Sequence, residues 1–275
     1  MFTRRARVVS THRLKPDAQA KNAWQRILRL RVRLQWEPIF LATRLIVAMS
    51  LGQSLFFVRG PPLRSFLSAH RCPGCEIRRV LCFCELIPKL ALQTRVIVLM
   101  HTCEEVLTTN TARLAVKALT NSELRIHGRR DERMSAAGLM EEGRESLLLY
   151  PSPHSVELTT DFVSRLTGPV NLIVPDANWR QTTKFVRREP GLVGIPHVRL
   201  PAGPPSEYRL RTQRDSRNLC TLEAIARAIG LLESRDAQAS LETVLRVLVE
   251  RTLWSRGSLA AKHCTTAGIP DEAFR

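Results

Sequence analysis

The sequence predicts an α/β protein: a mostly parallel sheet with helices on both faces, preceded by a small four-cysteine knuckle. Three observations carry this. Short, nearly continuous apolar runs at 94–101, 145–150 and 170–174 read as strands buried on both sides. Segments of helical periodicity follow at 109–119, 221–233 and 241–254. Cys72, Cys75, Cys82 and Cys84 are spaced C-x2-C-x6-C-x-C ahead of the first strand.

Residues 1–68 read as a basic extension. Twelve Lys/Arg face two acids, Asp17 and Glu37, over residues 1–60, a net +10 that leaves +7 of the total +17 for the rest. The favoured reading is a disordered arm or translation upstream of the true start; an RNA-contacting arm and an organelle-targeting presequence are the alternatives. The apolar run at 39–58 is interrupted by Arg44 and Gln53. A spanning helix needs about 20 clean apolar residues, so no membrane segment is expected.

The knuckle occupies 69–92. A C-x-x-C pair aims two thiolates at one ion, and a C-x-C pair completes a tetrahedral shell, which describes a structural zinc site with Cys72, Cys75, Cys82 and Cys84 as ligands. Pro73-Gly74 supplies the turn. Two disulfides or unligated thiols are the alternatives. The seven cysteines are an odd number and no cleavable signal is apparent, which points to a reducing, cytoplasmic setting.

The domain proper runs over 93–257, with a tail at 258–275. The 94–101 run, TRVIVLMH, is a β-branched strand. Thr109 or Asn110 is a candidate N-cap for the helix at 109–119. The strand at 145–150 closes at Pro151, and the one at 170–174 follows Gly168-Pro169. The helix at 221–233 (TLEAIARAIGLLE) packs beside a last helix at 241–254.

Functional residues in such sheets gather beyond the carboxyl ends of strands. Two strand ends are polar: His101-Thr102-Cys103-Glu104, leading to Asn110-Thr111, and Asp176-Ala177-Asn178-Trp179-Arg180. Read alone, a His there is commonly a core-edge residue and an Asp a helix cap. A Pro/Gly-rich loop at 201–207 leads into Tyr208, Arg209 and Arg211, with Arg214 and Arg217 beyond. Arg at alternate positions faces one side of an extended segment and suits phosphate or carboxylate. Arg180, Lys184, Arg187 and Arg188 fall on one helical face and suit a nucleic-acid backbone. P-loop, Rossmann, H-E-x-x-H and G-x-S-x-G signatures do not occur, which disfavours their chemistries.

Taken in order, these motifs resemble the DTW-domain family of tRNA-uridine aminocarboxypropyltransferases. The resemblance rests on the four-cysteine knuckle, Met100-His101 with Glu104, TNTARLA at 109–115, LLYPS at 148–152, and Asp176/Trp179/Arg180/Gln181. It continues through LPAGPPSEYRLR at 200–211 and TLEAIA at 221–226, covering 72–257 in all. It implies transfer of the 3-amino-3-carboxypropyl group of S-adenosylmethionine to N3 of a tRNA uridine, with release of 5′-methylthioadenosine. It also implies a fold related to the knotted SPOUT-like class; a monomer is a separate expectation, which the sequence does not settle.

Under that resemblance Asp176 is the general base and Trp179 stacks on a base or walls the pocket. The cofactor-binding set is His101, Glu104, Asn110, Thr111, Tyr208, Arg209, Arg211, Thr221 and Glu223. Glu223 is expected to meet the ammonium, and Arg209 or Arg211 the carboxylate or an RNA phosphate. Arg78, Arg79, Arg180, Lys184, Arg187, Arg188, Arg214 and Arg217 are expected on the tRNA backbone. The chain departs from the family pattern at Asn178 (usually Thr), Thr102 (Pro), Cys103 (basic), Leu107 (Lys) and Cys220 (Ser).

Overall fold

The computed structural model describes residues 70–211 and 218–275. The expected extension at 1–68, and Arg214 and Arg217, lie outside the described residues.

Six parallel strands form one sheet in the order β2-β1-β5-β3-β6-β4. They are β1 (Arg95–His101), β2 (Ser122–His127), β3 (Glu145–Leu149), β4 (Val156–Glu157), β5 (Val170–Asp176) and β6 (His197–Arg199). The helices are α1 (Ala112–Ala118), α2 (Thr160–Val163), α3 (Trp179–Arg188), α4 (Thr221–Leu232) and α5 (Arg235–Ser255).

The central strands β1, β5 and β3 are the three predicted from apolar runs. Their side chains alternate between two cores, as a period of two requires. Val96, Val98, Met100, Leu172 and Val174 join a large cluster with α1, α4, α5 and the knuckle. Ile97, Leu99, Leu148 and Ile173 join a smaller one with Leu139, Leu192, Ile195 and the inner residues of α3, Phe185 and Val186. Both faces are therefore covered, which is why these strands carry hardly any polar residue.

Three strands escaped the sequence. β2 reads SELRIH and is only half-buried at the sheet edge, so its alternation is weak. β4 and β6 have two and three residues, too few for a periodicity. α5 begins at Arg235 rather than 241, because the Ser234 hydroxyl accepts from Ala237 N at 3.2 Å and starts it under a polar first turn. α1 begins at Ala112 rather than 109. Thr109, Asn110 and Thr111 instead make tertiary bonds, described below.

The knuckle is built into the large core: Cys75, Ile77, Leu81 and Phe83 are buried members of it. Arg251 of α5 secures it, donating to the carbonyls of Leu81 (3.1 Å) and Cys82 (2.7 Å) and, toward the tail, to that of Gly268 (3.1 Å). No helix among the described residues is long and apolar enough to cross a membrane.

Candidate functional site

The sheet registers Met100 beside Asp176 and His101 beside His127, so the loops after β1, β2 and β5 leave from one edge. Two neighbouring assemblies form there: a buried polar network and an open cavity.

Asp176 centres the network. Asn110 Nδ2 donates to its Oδ2 at 2.7 Å, and the Thr221 hydroxyl donates to its Oδ1. Asn110 is held in turn, since its Oδ1 accepts from Arg113 N at the start of α1 (3.3 Å). Its Nδ2 also faces Glu104 Oε2 at 3.5 Å. Both terminal nitrogens of Arg211 reach that same Glu104 oxygen at 3.3 Å, and Arg211 Nε reaches Thr109 Oγ1 at 3.1 Å. The Tyr208 hydroxyl donates to Thr109 O at 2.8 Å, and Leu222 N to Thr111 Oγ1 at 3.3 Å. The 109–111 segment thus ties the α1 entrance to α4 and to the 208–211 loop. Burial raises the Asp176 pKa; the Thr221 and Asn110 hydrogen bonds oppose this, Glu104 reinforces it, and Arg211 opposes it.

The cavity, about 350 Å³, lies beside this network, beyond the carboxyl ends of β3, β5 and β6. Its apolar walls are Leu149, Val174, Leu200, Leu219 and Ala224; Tyr150, Arg199, Asn218 and Thr221 bring polar groups. Trp179 stands at its edge, 52% exposed. The Tyr150 and Trp179 ring centres are 6.5 Å apart, and the Tyr150 hydroxyl pairs with Thr183 Oγ1 at 2.9 Å.

Set against the expected residues, the cavity wall takes Trp179 and Thr221. Asp176, only 5% exposed, sits behind the wall and touches it through Thr221. Glu104, Asn110, Thr111, Tyr208 and Arg211 are network members, away from the cavity wall; Arg209 is exposed. Glu223 likewise lies away from the cavity wall: its buried carboxylate accepts from Ser206 Oγ (2.6 Å), Glu207 N (2.7 Å) and Cys220 N (2.8 Å), which closes the 206–207 loop onto α4. His101 also lies elsewhere. It meets the buried ring of His127 edge-on at 5.2 Å, and His127 stacks on Phe185 at 3.6 Å. Burial, with His101 nearby, lowers the His127 pKa to about 4.

Sequence reasoning assigned no role to Tyr150, Arg199 or Asn218. Tyr150 follows an apolar run and lay within a quoted motif, so its signal was present. Asn218 had none.

Asn178 caps α3: its Oδ1 accepts from Gln181 N at 3.0 Å, and Gln181 Oε1 accepts from Asn178 N at 3.4 Å. The departure from Thr therefore keeps the cap. Arg180, Lys184, Arg187 and Arg188 line an open groove along α3 with Trp179 and Thr183, and all four cations are exposed. None of them is in an ion pair among the described residues. Arg78 and Arg79 are exposed on the knuckle.

The four knuckle sulfurs lie within 4.8 Å of one another. Cys72 Sγ is 3.5 Å from Cys84 Sγ and 3.4 Å from Cys82 Sγ, and Cys75 Sγ is 3.8 Å from Cys82 Sγ. A tetrahedral shell with metal–sulfur bonds of ~2.3 Å spaces its sulfurs ~3.8 Å apart, so this cluster could hold one metal ion. Gly74 is required by close approach: a Cβ there would lie 2.3 Å from Cys84 Sγ. Burial raises the Cys72 thiol, but hydrogen bonds from the Cys75 and Gly74 backbones and the Cys82 and Cys84 thiols outweigh it and bring its pKa to about 6. Burial pushes the other way at Cys75, raised to about 11, and at Cys84, also raised.

The DTW domain profile matches residues 69–253. Three curated relatives are each named tRNA-uridine aminocarboxypropyltransferase 2. The one from Drosophila melanogaster is 31% identical, covering 60% of this chain and 68% of its own length. Those from Mus musculus (28%, 69% of this chain, 64% of its own) and Macaca fascicularis (26%, 64% and 60%) are matched over less than two thirds of their length. The solved SAM-dependent rRNA:acp-transferase from Vulcanisaeta distributa superposes with a TM-score of 0.40 at 17% identity, over 63% of this chain and 85% of its own. The profile takes in most of the chain and holds the knuckle, the Asp176–Trp179 strand end and the start of α4 in one match: the protein belongs to the DTW-domain family.

Proposed function

We propose that the protein transfers the 3-amino-3-carboxypropyl group of S-adenosylmethionine to N3 of a tRNA uridine, releasing 5′-methylthioadenosine. The observation that carries this reading is the cavity beyond β3, β5 and β6, walled by Trp179 and Thr221 and adjoining a helix of exposed cations without an ion-pair partner among the described residues. Its volume, about 350 Å³, and its mix of apolar walls with a few polar groups suit a nucleoside-sized molecule. Leu149, Val174, Leu200 and Leu219 would pack against the adenosine, while Arg199 and Asn218 offer polar contacts. When bound, S-adenosylmethionine supplies an electrophilic methylene next to its sulfonium and a neutral thioether as leaving group.

The chain's own residues hold the reactants and handle a proton. Trp179 gives the uracil a flat surface at the cavity edge. Arg180, Lys184, Arg187 and Arg188 draw the tRNA backbone along α3, with Arg78 and Arg79 as further contacts. The Asp176 carboxylate is the acid–base group for the N3 proton, kept dry by its burial. Cys72, Cys75, Cys82 and Cys84 would hold a zinc ion, which would fix the knuckle and take no part in the chemical step.

Two measurements test this. Nucleoside mass spectrometry of tRNA from cells with and without the gene should show loss of 3-(3-amino-3-carboxypropyl)uridine; unchanged levels would exclude the reading. In vitro, methylthioadenosine should be released, whereas S-adenosylhomocysteine would mark a methyl transfer.

A further inference from the structure

We propose that Thr221 relays the proton, standing between the uridine nitrogen and Asp176; this rests on the aminocarboxypropyl-transfer reading above. Three observations lead to it. First, the cavity wall, among the described residues, presents no carboxylate and no imidazole. The Tyr150 hydroxyl is turned to Thr183. Second, Asp176 cannot readily swing into the cavity. One oxygen is held by Asn110, itself anchored on Arg113 N, and its strand pairs with β1 through Asp176 itself. Third, Thr221 belongs to both assemblies: it lines the cavity and its hydroxyl donates to Asp176 Oδ1.

A hydroxyl can donate one hydrogen bond and accept others at the same time. With its proton aimed at Asp176, Thr221 Oγ1 keeps lone pairs for an N–H in the cavity. Thr221 is also well fixed as the first residue of α4, with the next residue's amide bonded to Thr111 Oγ1 at 3.3 Å.

The step balances. The N3 proton moves to Thr221 Oγ1 while the Thr221 proton moves to Asp176 Oδ1. The N3 electron pair forms the new bond to the methylene carbon. The carbon–sulfur bond breaks, its pair staying on sulfur and discharging the sulfonium. Asp176 ends protonated and, after product leaves, releases its proton through Thr221 to solvent in the emptied cavity. In this arrangement Asp176 is the terminal base that holds the proton, Asn110 positions it, and Thr221 is the catalytic residue that meets the uridine.

The test uses the full chain with S-adenosylmethionine and unmodified tRNA, following methylthioadenosine. No release by the unaltered protein would sink the transferase reading itself; release by it lets the relay be judged separately. Thr221→Val keeps shape and removes the hydroxyl, and kcat should fall about 10²- to 10⁴-fold. The Kd values for tRNA and S-adenosylmethionine should stay within about threefold, so that the loss is in turnover, while Tm falls by the few degrees that one lost hydrogen bond to buried Asp176 costs. Thr221→Ser should recover turnover to within about tenfold. A Val variant with near-normal kcat, or one whose whole defect lies in S-adenosylmethionine affinity, would overturn the relay. A single-turnover proton inventory on the unaltered protein is independent of any folding defect: two protons in flight are expected, and a linear one-proton inventory refutes it.

Discussion

The α3 face gives the most quantitative expectation. Replacing Arg180, Lys184, Arg187 and Arg188 together by Gln removes four exposed cations that have no ion-pair partner among the described residues. If each meets one phosphate, tRNA affinity should lose about 0.7–0.9 of salt slope per cation, or about 2.8–3.6 units in log Kd against log salt. Between 50 and 200 mM salt the unaltered protein should therefore lose roughly 50- to 150-fold more affinity than the variant. The inner face of α3, with Thr182, Phe185 and Val186, is untouched, and the cap at Asn178 remains, so Tm should hold. Filter binding or fluorescence anisotropy over a salt series reads the slope. A slope within about half a unit of the unaltered protein's means that the tRNA runs elsewhere.

Other expectations follow from the knuckle and the core. Elemental analysis should find one zinc per chain, and Cys75→Ser should lower Tm and metal content together; a fully folded, metal-free chain would contradict the zinc assignment. Arg251→Leu leaves the Leu81, Cys82 and Gly268 carbonyls without their donor, which should cost about 3–5 kcal/mol, seen as a Tm drop of roughly 10 °C. An unchanged Tm would show that water replaces the guanidinium. The His127 pKa is lowered to about 4 in the folded protein. The unfolded chain therefore binds the extra proton first, so this contribution is whole above pH ~6.5 and drains away as pH falls toward ~4. His127→Phe, which keeps the ring against Phe185, should flatten stability over that window in thermal melts; an undiminished slope would assign it to other groups.

Legibility in the sequence followed burial. The strands around 95–101, 145–149 and 170–176 were readable because both their faces are dry, so inside the runs only Ser146 and Asn171 are polar, and each is hydrogen-bonded internally. β2, half-buried at the edge, and the two short strands β4 and β6 exist through pairing with their neighbours, which no local pattern encodes. The polar first turn of α5 hid its start in the same way.

For the site, chemistry written into residue type and spacing was available at once: four cysteines for one ion, a carboxylate and an indole at a strand end, cations at helical intervals. Membership of the family was equally a matter of ordered motifs. Direction and access were decided only by the fold. Glu223, one of two acids on the predicted helix, accepts from three internal donors, two in the 206–207 loop and the third at Cys220 N. Asp176 is turned away from the cavity toward Asn110, and Thr221, 45 residues downstream, stands between. Sequence fixes which groups can exchange a proton or hold a metal; which of them meets the cavity depends on how distant segments pack, and that was settled by the sheet order and the meeting of α1 with α4 behind it.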